Sequence, residues 1–418
     1  MQLKDIYKLF LESEGVCTDS RQIKKNTIFF SLKGRNFNGN IFADQALSQG
    51  CSFCVIDDKK YKKSEKHILV DDVLICLQEL ASFHRTKFAC SVIAITGSNG
   101  KTTSKELISN VLRKKYNVLS TEGNLNNHIG VPLTLLQLNK SHQFAVIEMG
   151  ANHLNEIELL CEIAKPNFGL ITNIGKAHIE GFGSIDNILK GKTELYRYLK
   201  KNNGTVFVNS DDKKLSKSTN GLNSISYGSN SIYASQITID DIYVNIFCLG
   251  INFKSNLIGK YQIFNLASAV CIGDYFKIDK FLIQEAIKNY IPKNNRSQII
   301  ETKRNKVLMD AYNANPTSMR ETINYFDFIN YENKFLILGD MLELGDKSEN
   351  EHKEILNLIT NKEYEFILVG DIFSSINKEN SFKNVDSVPK KNLLELEKYF
   401  ILVKGSRSIT LEKILNYL

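Results

Sequence analysis

The chain has 418 residues, 43% of them apolar and 24% charged, and a net charge of +7. That length exceeds one ordinary core and implies roughly two to four domains of a soluble globular protein. The lysines are spread out, with no dense basic block carrying interleaved aromatics, so nucleic acid is excluded as an expected partner.

The opening residues Met1-Gln2-Leu3-Lys4-Asp5 lack a signal-peptide pattern. No apolar run approaches the roughly eighteen residues needed to cross a bilayer, so no membrane partner is expected. Cys51 and Cys54 form a lone C-x-x-C inside an apolar stretch and read as buried core rather than as a metal or redox pair. A reducing, cytoplasmic compartment follows from that cysteine usage.

Residues 1–73 read as a small α/β unit, with strands predicted over 27–32 and 52–56 and a helix over 41–49. An amphipathic helix is predicted over 73–87. From 91 to about 294, apolar strands at 91–96, 144–149, 168–172 and 205–209 alternate with helical patterns, including 104–114. That alternation predicts a mostly parallel sheet with helices on both faces. The stretch 224–255 reads as β-rich meanders, and 259–272 as a helix. The polar segment 292–297 reads as a linker. Beyond it, strands at 306–310, 335–339, 366–370 and 400–404 predict a third, open Rossmann-like α/β domain. The predicted division is 1–73, 74–294 and 295–418.

Five clusters carry chemistry. Thr96-Gly97-Ser98-Asn99-Gly100-Lys101-Thr102-Thr103 follows a strand and opens a helix. Glycines at 97 and 100 let backbone N–H groups face an anion, and the helix N-terminus adds partial positive charge. Lys101 can reach outer phosphates, and the Thr102 hydroxyl can ligate Mg²⁺. The spacing G-x-x-G-K-T is shorter than the common P-loop. Glu148 ends a strand where open sheets bind ligands, and suits the same ion as Thr102. The run 121–132 is rich in amides, among them Asn124 and Asn127. His178 follows the strand at 168–172, and Lys192 follows on a helix. Asp310-Ala311-Tyr312-Asn313-Ala314-Asn315-Pro316 and Lys404-Gly405-Ser406-Arg407 place acid, amide and cation groups at one edge of the third sheet.

In these motifs the chain resembles the Mur ligases, ATP-dependent amide-forming enzymes of peptidoglycan synthesis. T-G-x-N-G-K-T-T at 96–103 is that family's form of the P-loop. D-x-Y-N-A-N-P-x-S-M from Asp310 to Met319, L-G-D-M-L-E-L-G from Leu338 to Gly345, and Lys404–Arg407 resemble the branch adding D-alanyl-D-alanine to UDP-N-acetylmuramoyl-tripeptide. Asp19-Ser20-Arg21 and Leu32-Lys33-Gly34 extend the resemblance to the first domain.

The resemblance implies three α/β domains: a UDP-substrate domain, a central P-loop ATPase domain and a C-terminal ligase domain. It implies ATP phosphates held by Gly97, Ser98, Asn99, Gly100, Lys101, Thr102 and Thr103. It implies one Mg²⁺ on Thr102 and Glu148, and a second served by His178 and Lys192, the lysine carbamylated. It also implies Arg296, Asp310, Asn313 and Asn315 facing ATP, Asn265 on the adenine side, Ser20 and Arg21 near the UDP end, and Asn124 and Asn127 near the substrate carboxylate. A monomer is expected. The chain departs from the family pattern at Tyr261 and Gln262, where His and Asn are usual, and at Asn38-Gly39-Asn40, where D-G-H is common. A sister ligase, a folate polyglutamylating enzyme, a P-loop ATPase switch and a non-catalytic binding protein are the alternative readings.

Overall fold

Four segments supply the strands of the first sheet, parallel and in chain order: Val16–Cys17, Ile28–Phe30, Phe53–Ile56 and His67–Leu69. The computed structural model describes every residue except Met1, Asn230, Ile232, Ala234, Ser235 and Asp241. The helix predicted over 41–49 begins as a tight turn, Gly39–Phe42, before the helix Ala43–Ser48. Asn38 starts that turn by accepting from Asn40 N. A helix absent from the prediction, Leu3–Leu11, buries Ile6 and Phe10. Cys51 and Cys54 are buried, and burial pushes the Cys54 thiol up to about 12. The helix Val73–Arg85 turns its buried Leu77, Leu80 and Ala81 to the core that it shares with the next sheet. Its last residue, Arg85, donates to the carbonyls of Ala164, Phe88 and Cys90, locking that helix onto the central unit.

The central six-stranded sheet is parallel throughout. Its order is Asn223–Tyr227, Thr205–Asn209, Phe168–Ile171, Ser91–Thr96, Phe144–Glu148 and Val118–Ser120. Alternate residues of one strand enter different cores: Ile93 and Ile95 face one, Val92 and Ala94 the other. That double burial is why these strands read as continuous apolar runs. Ser91–Thr96 lies inside the sheet, and the chain builds outward from it on both sides. This is a topological switch point, with its crevice at the carboxyl ends. The register puts Ile95 opposite Glu148 and Thr96 opposite Ile171, so the ends of three strands share one edge.

The stretch 224–255 divides. Asn223–Tyr227 joins the central sheet as a parallel edge strand. Gln236–Asp240, Tyr243–Cys248 and Ile251–Phe253 form the antiparallel meander. The helix predicted from 259 runs Gln262–Tyr275 and packs on Lys101–Leu112, the helix that leaves the phosphate loop.

The C-terminal sheet has the order Gln298–Glu301, Lys306–Asp310, Phe400–Lys404, Lys334–Gly339, Glu365–Val369 and Ser381–Phe382. Only its first strand is antiparallel to its neighbour. The segment predicted as a linker is an ordered entry to that strand. Asn294, Asn295 and Ser297 hold φ of 59°, 57° and 49°, and Tyr312 N donates to Asn295 O. The parallel register sets Asp310 beside Lys404.

Candidate active site

A cleft of about 530 Å³ separates the carboxyl ends of the central and C-terminal sheets. On the central side, the loop after Ser91–Thr96 is pinned by the end of the neighbouring strand. Thr172 Oγ1 donates to Asn99 O at 2.6 Å, and Asn173 Oδ1 accepts from Asn99 N at 3.0 Å. Gly97 has φ +143°, and a Cβ there would lie 2.0 Å from Thr172 Oγ1. Gly100 sits at φ +77° as the residue before the helix. Lys101 Nζ turns back and donates to Gly97 O at 2.8 Å and Ser98 O at 3.0 Å. Burial pulls its ammonium below the usual lysine range, while Glu148 opposes that shift. Ser98, Asn99 and Thr102 line the cleft beside it, with Thr103.

Glu148 is 1% exposed. Its Oε1 accepts from Asn126 Nδ2 at 2.8 Å, and its Oε2 has no hydrogen-bond partner among the described residues. The amide-rich loop supplies that donor, so Asn126 belongs to the site although prediction singled out Asn124 and Asn127. Both of those line the cleft. Asn127 Oδ1 accepts from Ile129 N and Gly130 N, which starts the helix Gly130–Leu135 and leaves its amide NH₂ for a ligand.

His178 lines the cleft at φ 55° and pairs through Nδ1 with Glu343 of the C-terminal unit. The His178 hydrogen bond holds the Glu343 carboxyl below its ordinary range. Glu343 lies in L-G-D-M-L-E-L-G, so its motif was visible but its role was not. Lys192 ends the helix Ile185–Lys192, which Ser184 caps. It stands behind the cleft wall, 1% exposed, with Nζ donating to Ala151 O at 3.1 Å. Burial drives its ammonium well below the usual value, and Lys101 adds to that shift.

From the C-terminal side, Lys404 pairs with Asp310, and both reach the cleft. The Arg296 guanidinium carbon stands 3.4 Å from the Tyr312 ring centroid, and that of Arg407 5.1 Å away. Asn313 lines the cleft. Asn315 and Ser318 form a capping box before Pro316–Phe328. Asn315 Nδ2 also donates across the cleft to Asn99 Oδ1 at 2.7 Å. Lys176 also joins Glu351 of the C-terminal unit at 2.5 Å.

Asn265 lies under the phosphate loop rather than in the cleft. Its Oδ1 accepts from Ser104 Oγ at 2.9 Å, and it lines an adjoining cavity of about 550 Å³ with Phe264 and Asn209. Ser20 and Arg21 are not part of the cleft wall. Arg21 forks onto Asp19 at 2.9 and 2.8 Å and pushes that carboxyl down to about 2. The assembled cleft sets Lys101, Arg296, Lys404 and Arg407 around one volume, an arrangement suited to polyphosphate and carboxylate ligands.

Two family profiles match the chain in order: the Mur ligase middle domain over residues 95–273, and the Mur ligase, glutamate ligase domain over 295–406. A UDP-N-acetylmuramoyl-tripeptide–D-alanyl-D-alanine ligase of Buchnera aphidicola subsp. Baizongia pistaciae is 36% identical, covering 97% of this chain and 92% of the relative. A crystal structure of MurF from Acinetobacter baumannii superposes with a TM-score of 0.88 at 26% identity, covering 99% of this chain and 98% of that one. The MurF ligase of Thermotoga maritima in complex with ADP gives 0.85 at 26% identity, covering 97% of each chain. No helix among the described residues is long and apolar enough to cross a membrane. With both profiles in order and a relative aligned over nearly the full length, the chain belongs to the Mur ligase family.

Proposed function

We propose that this enzyme joins D-alanyl-D-alanine to the terminal carboxylate of UDP-N-acetylmuramoyl-tripeptide at the expense of ATP, in cytoplasmic peptidoglycan precursor synthesis. The carrying observation is one cleft that combines a phosphate loop, a buried acid with a free oxygen and a cationic edge from another sheet. Alignment with ligases of that name over nearly the whole length supports the same reading. Labour would divide as UDP recognition in 1–73, with Ser20 and Arg21, ATP binding in 74–294, and acceptor handling in 295–418.

The reaction forces a carboxylate onto a triphosphate, so charge neutralisation and fixed geometry are the main demands. The N–H groups after Gly97 and the N-terminus of Lys101–Leu112 would receive the phosphates. Lys101 would exchange its two loop carbonyls for phosphate oxygens. Asn124 and the Asn127 amide would orient the substrate carboxylate. Its oxygen attacks the γ-phosphorus as the bond to ADP breaks, giving an acyl phosphate. The acceptor amine then attacks the acyl carbon, loses a proton, and phosphate departs. Arg296, Asp310, Asn313 and Asn315 would close on the nucleotide from the opposite side, with Asn265 near the nucleoside.

Magnesium fits the donor set, because the Thr102 hydroxyl and the unpartnered Glu148 Oε2 are hard oxygens. Bound there, the ion supplies neutralisation of phosphate charge. Among the described residues no three His, Cys, Asp or Glu side chains converge, so substrate oxygens would complete its shell. A second ion would fall to His178 and Lys192. Burial disfavours the ammonium form of Lys192, and a carbamate there would turn its amine into an anionic ligand. One copy carries every group named, so a monomer suffices. The test offers ATP, the UDP-linked tripeptide and a panel of amine acceptors, and weighs the products. ADP release and an amide product with D-alanyl-D-alanine are expected; ADP without amide, or preference for another acceptor, refutes the assignment.

A further inference from the structure

Tyr261 stands just before the helix Gln262–Tyr275, in the wall shared by the cleft and the adjoining cavity. Its hydroxyl lies 3.1 Å from Ser297 Oγ. Ser297 donates to Asp310 Oδ1 twice, from N at 2.9 Å and from Oγ at 3.2 Å, and Lys404 pairs with Asp310 Oδ2. A serine hydroxyl has one proton. With that proton on Asp310, the Tyr261 O–H is the donor to Ser297. The contacts therefore run in one direction, from the central unit through the 292–297 segment to two strands of the C-terminal sheet. The Thr322 hydroxyl, on Pro316–Phe328, also faces the Tyr261 hydroxyl. Burial, with the Asp310 charge, pushes the phenol up, so it stays a donor at working pH. Ser297 follows Arg296, the residue stacked on Tyr312, so fixing one fixes the approach of the other.

We propose that Tyr261 is a positioning residue for ligation: its hydroxyl, given to Ser297, sets how the C-terminal sheet and Arg296 sit over the phosphate loop. This rests on the ligase reading. The hydroxyl acts through Ser297 and not on the nucleotide, so its loss weighs more on the step that needs both units than on capture of ATP at the phosphate loop.

The experiment compares wild type, Tyr261→Phe, Ser297→Ala and the double variant. It measures amide formation at saturating substrates, binding of a non-hydrolysable ATP analogue to the enzyme without other substrates, and thermal melts. Tyr261→Phe should lower kcat about tenfold, the scale of one part-buried hydrogen bond, while analogue affinity stays within about twofold. Ser297→Ala should lose about as much, and the double variant no more than either, because both cut one link. Unchanged kcat in both single variants, or losses that multiply in the double variant, overturns the proposal. So does weakened analogue binding with unchanged kcat, which makes Tyr261 a nucleotide contact. If wild type forms no amide, the ligase reading falls instead. Small-angle scattering then decides: Tyr261→Phe with analogue bound should be more extended than wild type, and identical profiles overturn the positioning role.

Discussion

Lys404→Met tests the buried pair at the C-terminal sheet edge. Lys404 is 2% exposed, and the Asp310 side chain that it meets is 15% exposed. Methionine keeps the apolar stem and removes the charge. Asp310 is then left without its cation in a largely buried site at the cleft wall, with the two Ser297 donors still in place. Removing one member of a buried pair costs about 3–5 kcal/mol, because the survivor is uncompensated. The remaining donors put the expected cost at the lower end, about 3 kcal/mol. For a unit of this size that shifts its melting transition by about 10 °C. The chain has no tryptophan, so calorimetry and circular dichroism are the suitable assays. Adding Asp310→Asn should recover about half of the loss, since the orphaned charge is gone. A Lys404→Met melt within about 2 °C of wild type would show that water already screens the pair, and the reasoning would fail.

Gly97→Ala should abolish binding of an ATP analogue in titration calorimetry, because the new Cβ would meet Thr172 Oγ1 at 2.0 Å on a backbone at φ +143°. Lys101→Met should keep the fold and lower ADP release by about a thousandfold, the scale of a lost charge contact in the transition state; near-normal turnover would contradict the role given to it. Burial holds His84 and His352 below the ordinary imidazole range. The unfolded chain therefore takes up protons that the folded chain refuses. Stability should be complete above about pH 6.5 and fall as pH drops below it, by up to about 1.4 kcal/mol per unit for each histidine. Denaturant melts from pH 7.5 to 5 should show that slope, and His84→Gln should reduce it to the share of His352.

Strands that carry long apolar stretches buried on both faces were legible, as at Ser91–Thr96 and Phe400–Lys404. Val118–Ser120 was not, because three residues hold no period and its pairing with Phe144–Glu148 is non-local. Gln298–Glu301 was hidden by the polar segment before it and by its place on a sheet edge, where half-exposed residues suffice. At the site, motif order identified the residues on each shore of the cleft but not which of them touch. Asn99 and Asn315 are 216 positions apart, and His178 meets Glu343 only because the two sheets face each other. Tyr261 was visible as a departure from the family pattern, but its meaning required seeing Ser297.

Strand order in the C-terminal sheet constrains how the molecule comes off the ribosome. Phe400–Lys404 inserts between Lys306–Asp310 and Lys334–Gly339, so two half-sheets made earlier share no seam until it arrives. Its partner Asp310 was synthesised 94 positions before. The parallel sheet around the phosphate loop, by contrast, has all its strands by Tyr227. Vectorial synthesis therefore yields a nucleotide-competent core before the ligase half can lock, and a nascent chain stalled short of residue 400 exposes two bare sheet edges to its neighbours.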